Sequence, residues 1–341
     1  MRGALGLIIA ATIGVLLAAC TGGVPPEAPL RTSLASDPPG NGSAFAIATR
    51  GPYDFPDLAA GRGPEEQVIG RLVLPDGEAP VRGAAILSHG AGGTGERQDR
   101  MAEHLADQGI AALVLDHFGP RGIGSTVRDQ LRATEQAMVG DLYRARALLA
   151  SHPRIPADRI GVMGWSKGAT TSVLASVDRI ARYAAPGSPR LAFAVALYPF
   201  CGFALEDEAM ATPLLMLLAG EDDWTPAQPC ERLSEAWQAR GQPATHVTYP
   251  GAPHGFDSGL FFDASVGRAI AVRRTGPDCL LTLAEDGATV TLDGGFRLSD
   301  VAGREAFLAA CGERGVTFGG DSAARDDAYR QVDAFLARII P

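Results

Sequence analysis

The chain is short of positive charge and has almost no lysine, and both shortages limit what it can bind. Lys167 is the only lysine among 341 residues, and the formal net charge is −9. No stretch gathers arginine and lysine into the basic patch that a nucleic-acid-binding surface needs to neutralise phosphates. We therefore expect no nucleic-acid partner, and we attribute the missing lysine to biased nucleotide composition.

Histidine is also scarce, with six residues spread along the chain. No histidine cluster has metal-ligand spacing, and no glycine-rich dinucleotide fingerprint follows a first strand. We therefore expect neither a metal nor an organic cofactor. A content of 46% hydrophobic and 20% charged residues is typical of a globular protein, and the length allows a large core.

The N-terminus carries the pattern of an export signal. Arg2 precedes an apolar run from Leu5 to Leu17, which is near the lower limit for a membrane span. The letters LAAC, ending at Cys20, resemble a bacterial lipobox, which implies cleavage before Cys20 and lipidation of its thiol. A plain cleaved signal peptide and an uncleaved anchor are the alternatives. We expect residues 1–19 to be the signal peptide of a lipoprotein on the periplasmic face of the cell envelope, and Thr21 favours the outer membrane.

Residues 20–44 are rich in Pro, Gly, Ser and Ala and have little apolar periodicity. This composition is typical of a flexible linker. We predict a tether there, which would let an anchored domain of residues 45–341 stand away from the membrane.

Four cysteines follow the tether, namely Cys201, Cys230, Cys279 and Cys311. An even number of cysteines in an exported chain predicts two disulfides. Three pairings are possible, and free buried thiols are a further alternative. We favour Cys201–Cys230 and Cys279–Cys311, because these partners are neighbours along the chain.

Strand-like and helix-like segments alternate through most of the chain. The predicted strands cover 67–75, 83–90, 110–118, 159–165, 191–199, 213–220 and 245–250. Helical patterns cover 97–108, 129–150, 166–181, 228–240 and 322–338. Several strands are near-continuous apolar runs, as in parallel strands that are buried on both faces. The alternation predicts an α/β fold with a doubly wound, mostly parallel sheet.

Residues 260–320 interrupt this alternation. The letters LLTLAEDGATVTLDGGF predict a β-hairpin around Asp286 and Gly287. Cys279 and Cys311 flank this hairpin, and the segment has too little apolar content for a second core. We interpret it as a small C-terminal elaboration of the same domain.

The stretch Gly164-Trp165-Ser166-Lys167-Gly168 has the form G-x-S-x-G. It follows a predicted strand directly and opens a predicted helix, which is the context in which this motif presents a nucleophilic serine. A tight turn with a helix-capping serine is the alternative. We predict that Ser166 is a nucleophile.

A nucleophilic serine needs a base and a group that orients the base. His254 lies in a Gly/Pro loop after the last clear strand, where a base would meet the carboxyl edge of the sheet. Asp222 and Asp223 follow the strand 213–220; we favour Asp222 as the orienting carboxylate, with Asp223 as the alternative and Glu221 third. The order Ser, Asp, His is that of α/β-hydrolases.

The oxyanion of acyl transfer needs N–H donors that are already in place. The backbone N–H of Lys167 directly follows the predicted nucleophile, and a second donor is expected in the loop HGAGGTG after the strand 84–88. We favour Ala91 for this donor, with Gly92 as the alternative. We interpret His89 as a residue that orders the loop, not as a second catalytic histidine.

The motifs SHGAGG, DHFGPRG, GWSKG, GEDDWTP and YPGAPHGFD, in this order, resemble those of the dienelactone hydrolase family of α/β-hydrolases. The resemblance covers about residues 65–260 and resumes weakly in the C-terminal helix. Archetypal members carry a cysteine nucleophile where this chain has Ser166, so the resemblance implies a serine esterase more than the dienelactone substrate. Arg121 in DHFGPRG is a candidate for a substrate carboxylate; we interpret it as structural, held by Asp116 or a carbonyl.

Together these patterns predict a serine hydrolase that cleaves a carboxylic ester or lactone through an acyl-enzyme. A peptidase, polyester hydrolase or acyltransferase with the same triad is one alternative. A non-catalytic, envelope-binding lipoprotein is another.

Overall fold

The computed structural model describes residues 28–258, 267–276 and 278–341. The predicted signal peptide, Cys20 and the first part of the predicted tether lie outside the described residues. Within these ranges, no helix has both the length and the apolar content needed to cross a membrane.

A mixed eight-stranded sheet forms the centre of the protein. Its strands are β1 (Ala44–Arg50), β2 (Glu65–Val73), β3 (Gly83–Ser88), β4 (Ile110–Asp116), β5 (Ile160–Trp165), β6 (Ala194–Leu197), β7 (Leu214–Ala219) and β8 (Ala244–Tyr249). Their order is β1-β2-β4-β3-β5-β6-β7-β8. The strands from β4 to β8 are parallel, whereas β1 and β2 are antiparallel at one edge. The predicted α/β fold with a mostly parallel sheet is confirmed.

Helices cover both faces of the sheet. They are α1 (Phe55–Ala59), α2 (Glu96–Asp107), α3 (Glu135–Leu149), α4 (Lys167–Ser176), α5 (Asp178–Ala184), α6 (Ala227–Ala239), α7 (Val301–Cys311) and α8 (Ser322–Ile339). Side chains of α2 and α8 pack on one face, and those of α3 to α6 pack on the other. In β3, Ile86 belongs to one core and Leu87 to the other. Burial on both faces explains the uninterrupted apolar runs.

Capping side chains and extended residues determine where several helices begin and end. Thr134 caps α3 by accepting the N–H of Ala137, so the helix starts later than the predicted position 129. The helix predicted over 166–181 is divided at Val177, which has extended backbone (φ −79°, ψ 125°) and pairs with Met210. Strand β1 was not predicted, because its sequence AFAIATR follows directly on the linker-like composition.

Residues 28–44 do not form a free tether. Leu34 is fully buried, and its N–H donates to Ser151 Oγ at 2.8 Å. The N–H of Arg31 donates to the carbonyl of Ala46 at 2.9 Å. Leu34 and Pro39 are buried among exposed and polar residues, and two such positions give no periodic signal. The predicted flexible tether is therefore wrong for residues 28–44, and it stays a prediction for 20–27.

The elaboration predicted over 260–320 forms a small cap, which we define as residues 267–318 without 277. It contains β9 (Gly267–Thr275), β10 (Leu281–Leu283), β11 (Thr289–Thr291), α7 and β12 (Gly312–Phe318). Strands β10 and β11 make the predicted hairpin around Asp286 and Gly287, and β9 pairs with β12. The backbone of Leu281 exchanges two hydrogen bonds with the loop after β6, at 2.8 Å to Gly202 and 2.7 Å from Ala204. The cap is thereby attached beside the parallel sheet.

Both predicted disulfides are present. Cys201 pairs with Cys230, and Cys279 pairs with Cys311. The first joins the loop after β6, where the cap attaches, to α6. The second closes the cap itself, since it links the segment before β10 to the end of α7. The predicted pairing of neighbours along the chain is confirmed.

The anchoring of residues 28–44 can be tested with two leucines. Leu34→Ala removes a fully buried side chain and should lower the free energy of unfolding by about 2–4 kcal/mol. Leu30→Ala is the matched control, because Leu30 is 53% exposed and its loss should cost no more than about 0.5 kcal/mol. Urea denaturation of both variants measures the difference. Equal stability of the two variants would mean that this stretch is not anchored.

Candidate active site

Ser166 occupies a strained turn between β5 and α4, with φ 51° and ψ −115°. A non-glycine residue rarely adopts positive φ, and such strain persists only where the surroundings impose it. A Cβ on Gly164 would lie 2.1 Å from the carbonyl oxygen of Gly168, and a Cβ on Gly168 would lie 2.1 Å from that of Ser88. Strand and helix can approach this closely only because both positions are glycine. The contact places Ser166 at the tip of the turn.

Ser166, His254 and Asp222 form one hydrogen-bonded line. His254 Nε2 lies 3.0 Å from Ser166 Oγ, and His254 Nδ1 lies 2.7 Å from Asp222 Oδ2. The side chains come from the loops after β5, β8 and β7, and His254 and Asp222 are each 5% exposed. With the Nδ1 proton directed at the carboxylate, Nε2 is left to accept the serine proton. The structure thus brings together all three residues of the predicted triad.

Asp222 is held on both of its carboxylate oxygens. Oδ1 accepts the N–H groups of Trp224 and Thr225, each at 2.8 Å. Oδ2, which faces His254, also accepts the Thr225 hydroxyl at 2.8 Å. The sequence analysis missed Thr225. The available signal was its position in the motif GEDDWTP.

Asp223 faces the cap instead of the histidine. Its Oδ1 accepts the N–H of Thr317 at 2.6 Å, and its carbonyl oxygen accepts a hydrogen bond from Arg274 at 2.5 Å. The geometry therefore distinguishes the two aspartates: Asp222 contacts His254, and the alternative Asp223 binds the cap.

The predicted oxyanion donors lie beside the nucleophile. A Cβ on Gly90 would be only 3.2 Å from Ser166 Cβ, so the loop after β3 touches the turn. Ala91 and Lys167 both line the cavity at Ser166, whereas the alternative Gly92 does not. Within the described ranges, no protein acceptor pairs with the N–H of Ala91 or Lys167. Both residues thus lie at the cavity beside Ser166 with amides that no protein acceptor in these ranges occupies, and their role as oxyanion donors stays a prediction.

A cavity of about 500 Å³ extends from Ser166 under the cap. Its apolar wall includes Phe200, Phe203, Leu281, Leu298, Phe307 and Leu308. Lys167 Nζ pairs with Glu135 Oε1 at 2.5 Å, so its ammonium group is occupied in an ion pair. Burial alone would raise the pKa of Glu135, but the charges of Lys167 and Arg304 outweigh burial and hold that pKa below its usual value. The contribution of the cap to this cavity was not predicted.

Asp257 is a site residue that sequence reasoning missed. It is 3% exposed, and its carboxylate accepts the Trp165 indole N–H at 2.7 Å and the Tyr198 hydroxyl at 2.6 Å. Tyr198 has the second positive non-glycine φ among the described residues, 42°, and its ring packs edge-on against His254. Asp257 therefore joins the nucleophile strand to the histidine loop. Its position three residues after His254 was the available signal.

Arg121 is structural, as predicted: it binds a carbonyl as expected, while Asp141 and Glu66 take the place of the alternative partner Asp116. Its guanidinium donates to both oxygens of Asp141, at 2.7 and 3.0 Å, and to the carbonyl of His117 at 2.8 Å. Its Nε donates to Glu66, and the side chain is 5% exposed. A group engaged in this way does not reach the cavity.

His89 is buried and neutral. Its Nε2 accepts the backbone N–H of His117 at 3.1 Å, and its Nδ1 lies 2.8 Å from the carbonyl oxygen of Gly90. Burial, reinforced by the neighbouring His117, lowers the pKa of His89 to about 4; the Gly90 carbonyl, Asp116 and Asp141 offset only part of this shift.

The lowered pKa of His89 predicts a loss of stability in acid. The unfolded chain takes up this proton near pH 6.5 and the folded chain only near pH 4, so the unfolded state binds more protons between these values. The free energy of unfolding should therefore fall as the pH falls from about 6.5 to 4, by about 1.4 kcal/mol per pH unit from this group.

Denaturation with urea across this pH range measures the slope for the wild type and for His89→Gln. The variant should show the shallower slope. Identical slopes would contradict the assignment of His89 as a buried neutral group.

The dienelactone hydrolase family model matches residues 68–260. This range is more than half of the chain, contains Ser166, Asp222 and His254, and excludes the cap strands. A comparison with curated proteins gave no match.

The chain is similar to several solved structures at low sequence identity. A dienelactone hydrolase-like promiscuous phosphotriesterase from metagenomic libraries is 13% identical, with a TM-score of 0.53 over 89% of this chain and 100% of that chain. An esterase from Thermogutta terrifontis, solved with propionate bound, is 18% identical, with a TM-score of 0.46 over 57% of this chain and 82% of that chain. A protein from Klebsiella pneumoniae subsp. pneumoniae MGH 78578, assigned as a dienelactone hydrolase, is 20% identical, with a TM-score of 0.46 over 62% of this chain and 88% of that chain.

Proposed function

We propose that this chain, which belongs to the dienelactone hydrolase family, is a serine hydrolase that cleaves a carboxylic ester or lactone through an acyl-enzyme. The observation that carries the proposal is the hydrogen-bonded line from Ser166 through His254 to Asp222, which opens into a cavity. Family membership supports hydrolysis, and the geometry adds the nucleophile and its base.

In this mechanism Ser166 Oγ attacks the ester carbonyl carbon while His254 Nε2 takes the hydroxyl proton. Asp222 keeps the other ring proton on Nδ1 and stabilises the imidazolium. The ester C–O bond then breaks, and His254 gives its proton to the departing alkoxide, which leaves an acyl group on Ser166. Water attacks the acyl-enzyme while His254 takes its proton, and this proton returns to Ser166 as the acid leaves.

The N–H groups of Ala91 and Lys167 hold the negative oxygen in both tetrahedral intermediates. Donors that are already directed at the oxyanion require no reorganisation during the reaction, and this accounts for their catalytic effect. The ammonium group of Lys167 takes no part in this step, because it is paired with Glu135.

The cavity supports a substrate with an apolar group next to the scissile carbonyl. Its volume of about 500 Å³ lies within the usual range for small-molecule sites, and aromatic and aliphatic side chains of the cap and the loop after β6 form its wall. Phe203 and Phe307 contribute to this wall from the two sides, so both the domain and the cap would contact the substrate.

We also propose that the protein is exported and anchored to the periplasmic face of the cell envelope through a lipid on Cys20. Two disulfides support export, since structural disulfides persist in oxidising compartments and are rare in the cytosol.

The nucleophile can be tested on the fragment that starts at Thr21, produced in an oxidising compartment. Ser166→Ala should lower kcat on short-chain aryl esters by about 10⁴-fold or more and abolish labelling by a fluorophosphonate probe. Ser176→Ala is the matched control, because this buried serine lies at the far end of α4 and its hydroxyl donates to the carbonyl of Ser172 in the same helix. Equal rates from folded wild type and Ser166→Ala would reject the proposal.

The triad acid can be tested by neutralising each neighbouring aspartate. Asp222→Asn should lower kcat by about 10³–10⁴-fold, because an amide at this position favours the wrong tautomer of His254. Asp223→Asn should stay near the wild-type rate, since an amide oxygen can still accept the Thr317 N–H. Steady-state kinetics of the two variants make the comparison. A larger loss in Asp223→Asn would overturn the assignment.

A further inference from the structure

His89 is held in a single tautomer by two contacts of opposite kind. A backbone N–H can only donate, so Nε2, which receives the N–H of His117 at 3.1 Å, carries no proton. The neutral ring therefore has its proton on Nδ1 and donates it to the carbonyl oxygen of Gly90, 2.8 Å away. The ring is fully buried, and with both nitrogens engaged it has no free base to offer a substrate.

The carbonyl that His89 holds belongs to the same peptide unit as the N–H of Ala91. In a trans peptide these two bonds point in opposite directions, and the described residues contain no cis peptide. A ring that fixes the Gly90 carbonyl on one side therefore directs the Ala91 N–H to the other side. This peptide lies against the nucleophile turn, since a Cβ on Gly90 would be 3.2 Å from Ser166 Cβ.

We propose that His89 is a positioning residue, which aims the Ala91 N–H at the oxyanion of the reaction. The inference rests on the proposed serine hydrolase function. The Gly93 N–H donates to the same carbonyl at 3.1 Å, so His89 supplies one of two donors that fix the peptide. The carbonyl of Ala91 is held in turn by the Thr126 N–H at 2.8 Å and the Ser125 hydroxyl at 3.0 Å. The peptides on both sides of Ala91 are thus fixed.

A buried hydrogen-bond network that begins at His117 holds His89 on the side away from Gly90. His117, whose N–H binds the His89 ring, donates from its own Nδ1 to Asp141 at 2.8 Å and lies 3.0 Å from Ser88 Oγ. Asp141 also accepts from Arg121 and, at 2.6 Å, from Thr49. The side chains of Ser88, His117 and Asp141 are completely buried and line no part of the cavity at Ser166, so this second Ser–His–Asp line anchors the loop and meets no substrate.

The proposal predicts a defect in the chemical step and not in substrate binding. His89→Ala should lower kcat on an aryl ester by about 10–100-fold, less than the 10²–10³-fold typical of a deleted oxyanion donor, with KM changed less than about threefold. His89→Asn can place an amide N–H near the position of Nδ1 and should recover part of the loss. His152→Ala is the matched control, because His152 is 3% exposed but lies in a groove formed by residues 38–41, 74–78 and 152–154.

A second measurement, inhibitor affinity, distinguishes a misdirected Ala91 N–H from a general loss of stability. A trifluoromethyl ketone forms a hemiketal oxyanion on the serine, so its affinity for His89→Ala should fall in parallel with kcat/KM. The His152→Ala variant should lose thermal stability while it keeps both kcat and inhibitor affinity. If His89→Ala does not fold, His89→Asn is measured in its place. It should lose less kcat than expected for His89→Ala, and its inhibitor affinity should fall in parallel with its kcat.

The outcomes are distinguishable. Suppose that activity requires Ser166 but a folded His89 variant keeps the wild-type kcat and inhibitor affinity. This result would overturn the role of His89 and leave the serine hydrolase function standing. Losses of kcat and affinity in His152→Ala as large as those in the His89 variants would also overturn the role of His89. Full activity of Ser166→Ala would reject the serine hydrolase function, and the His89 proposal with it.

Discussion

Three backbone segments meet at the turn after β5 with no room for a side chain between them. Gly164 packs on the carbonyl of Gly168, and Gly168 packs on the carbonyl of Ser88 at the end of β3. This contact forces the positive φ of Ser166 and also brings the loop that starts at His89 against the nucleophile. The positions of Ser166 and of the loop that starts at His89 therefore have one common cause, and neither can shift without separating the same three segments.

Access to solvent, more than the identity of the residues, distinguishes the two Ser–His–Asp lines of this protein. Ser88, His117 and Asp141 repeat the hydrogen-bonding order of the triad, with distances of 3.0 and 2.8 Å. They are completely buried between the ends of β3 and β4 and helix α3, where no substrate can reach them and where Arg121 compensates the buried carboxylate. The same three residue types thus occur a second time, one strand away from Ser166, where their hydrogen bonds hold a loop.

Local patterns were sufficient to predict the fold and the disulfides and to select Ser166, Asp222 and His254, which the structure brings together. Each of these predictions depends on a local motif or on the order of elements along the chain. The choice of Asp222 over Asp223 was less secure, since it depends on which carboxylate receives the Trp224 and Thr225 amides once the loop has closed. The anchoring of residues 28–44 by Leu34 could not be predicted, because one buried leucine has no periodicity. The role of Asp257 depends on Trp165 and Tyr198, which are distant in sequence.

The two neighbouring aspartates divide the loop after β7 between the triad and the cap. Asp222 receives the imidazole of His254, while Asp223 receives the N–H of Thr317 and a hydrogen bond from Arg274. A cap that moved away from the cavity would break the contacts of Asp223 and release the backbone next to the triad acid. One short loop thus makes both sets of contacts, so the cap bonds to the residue next to Asp222 although the cap lies outside the part of the chain that matches the family.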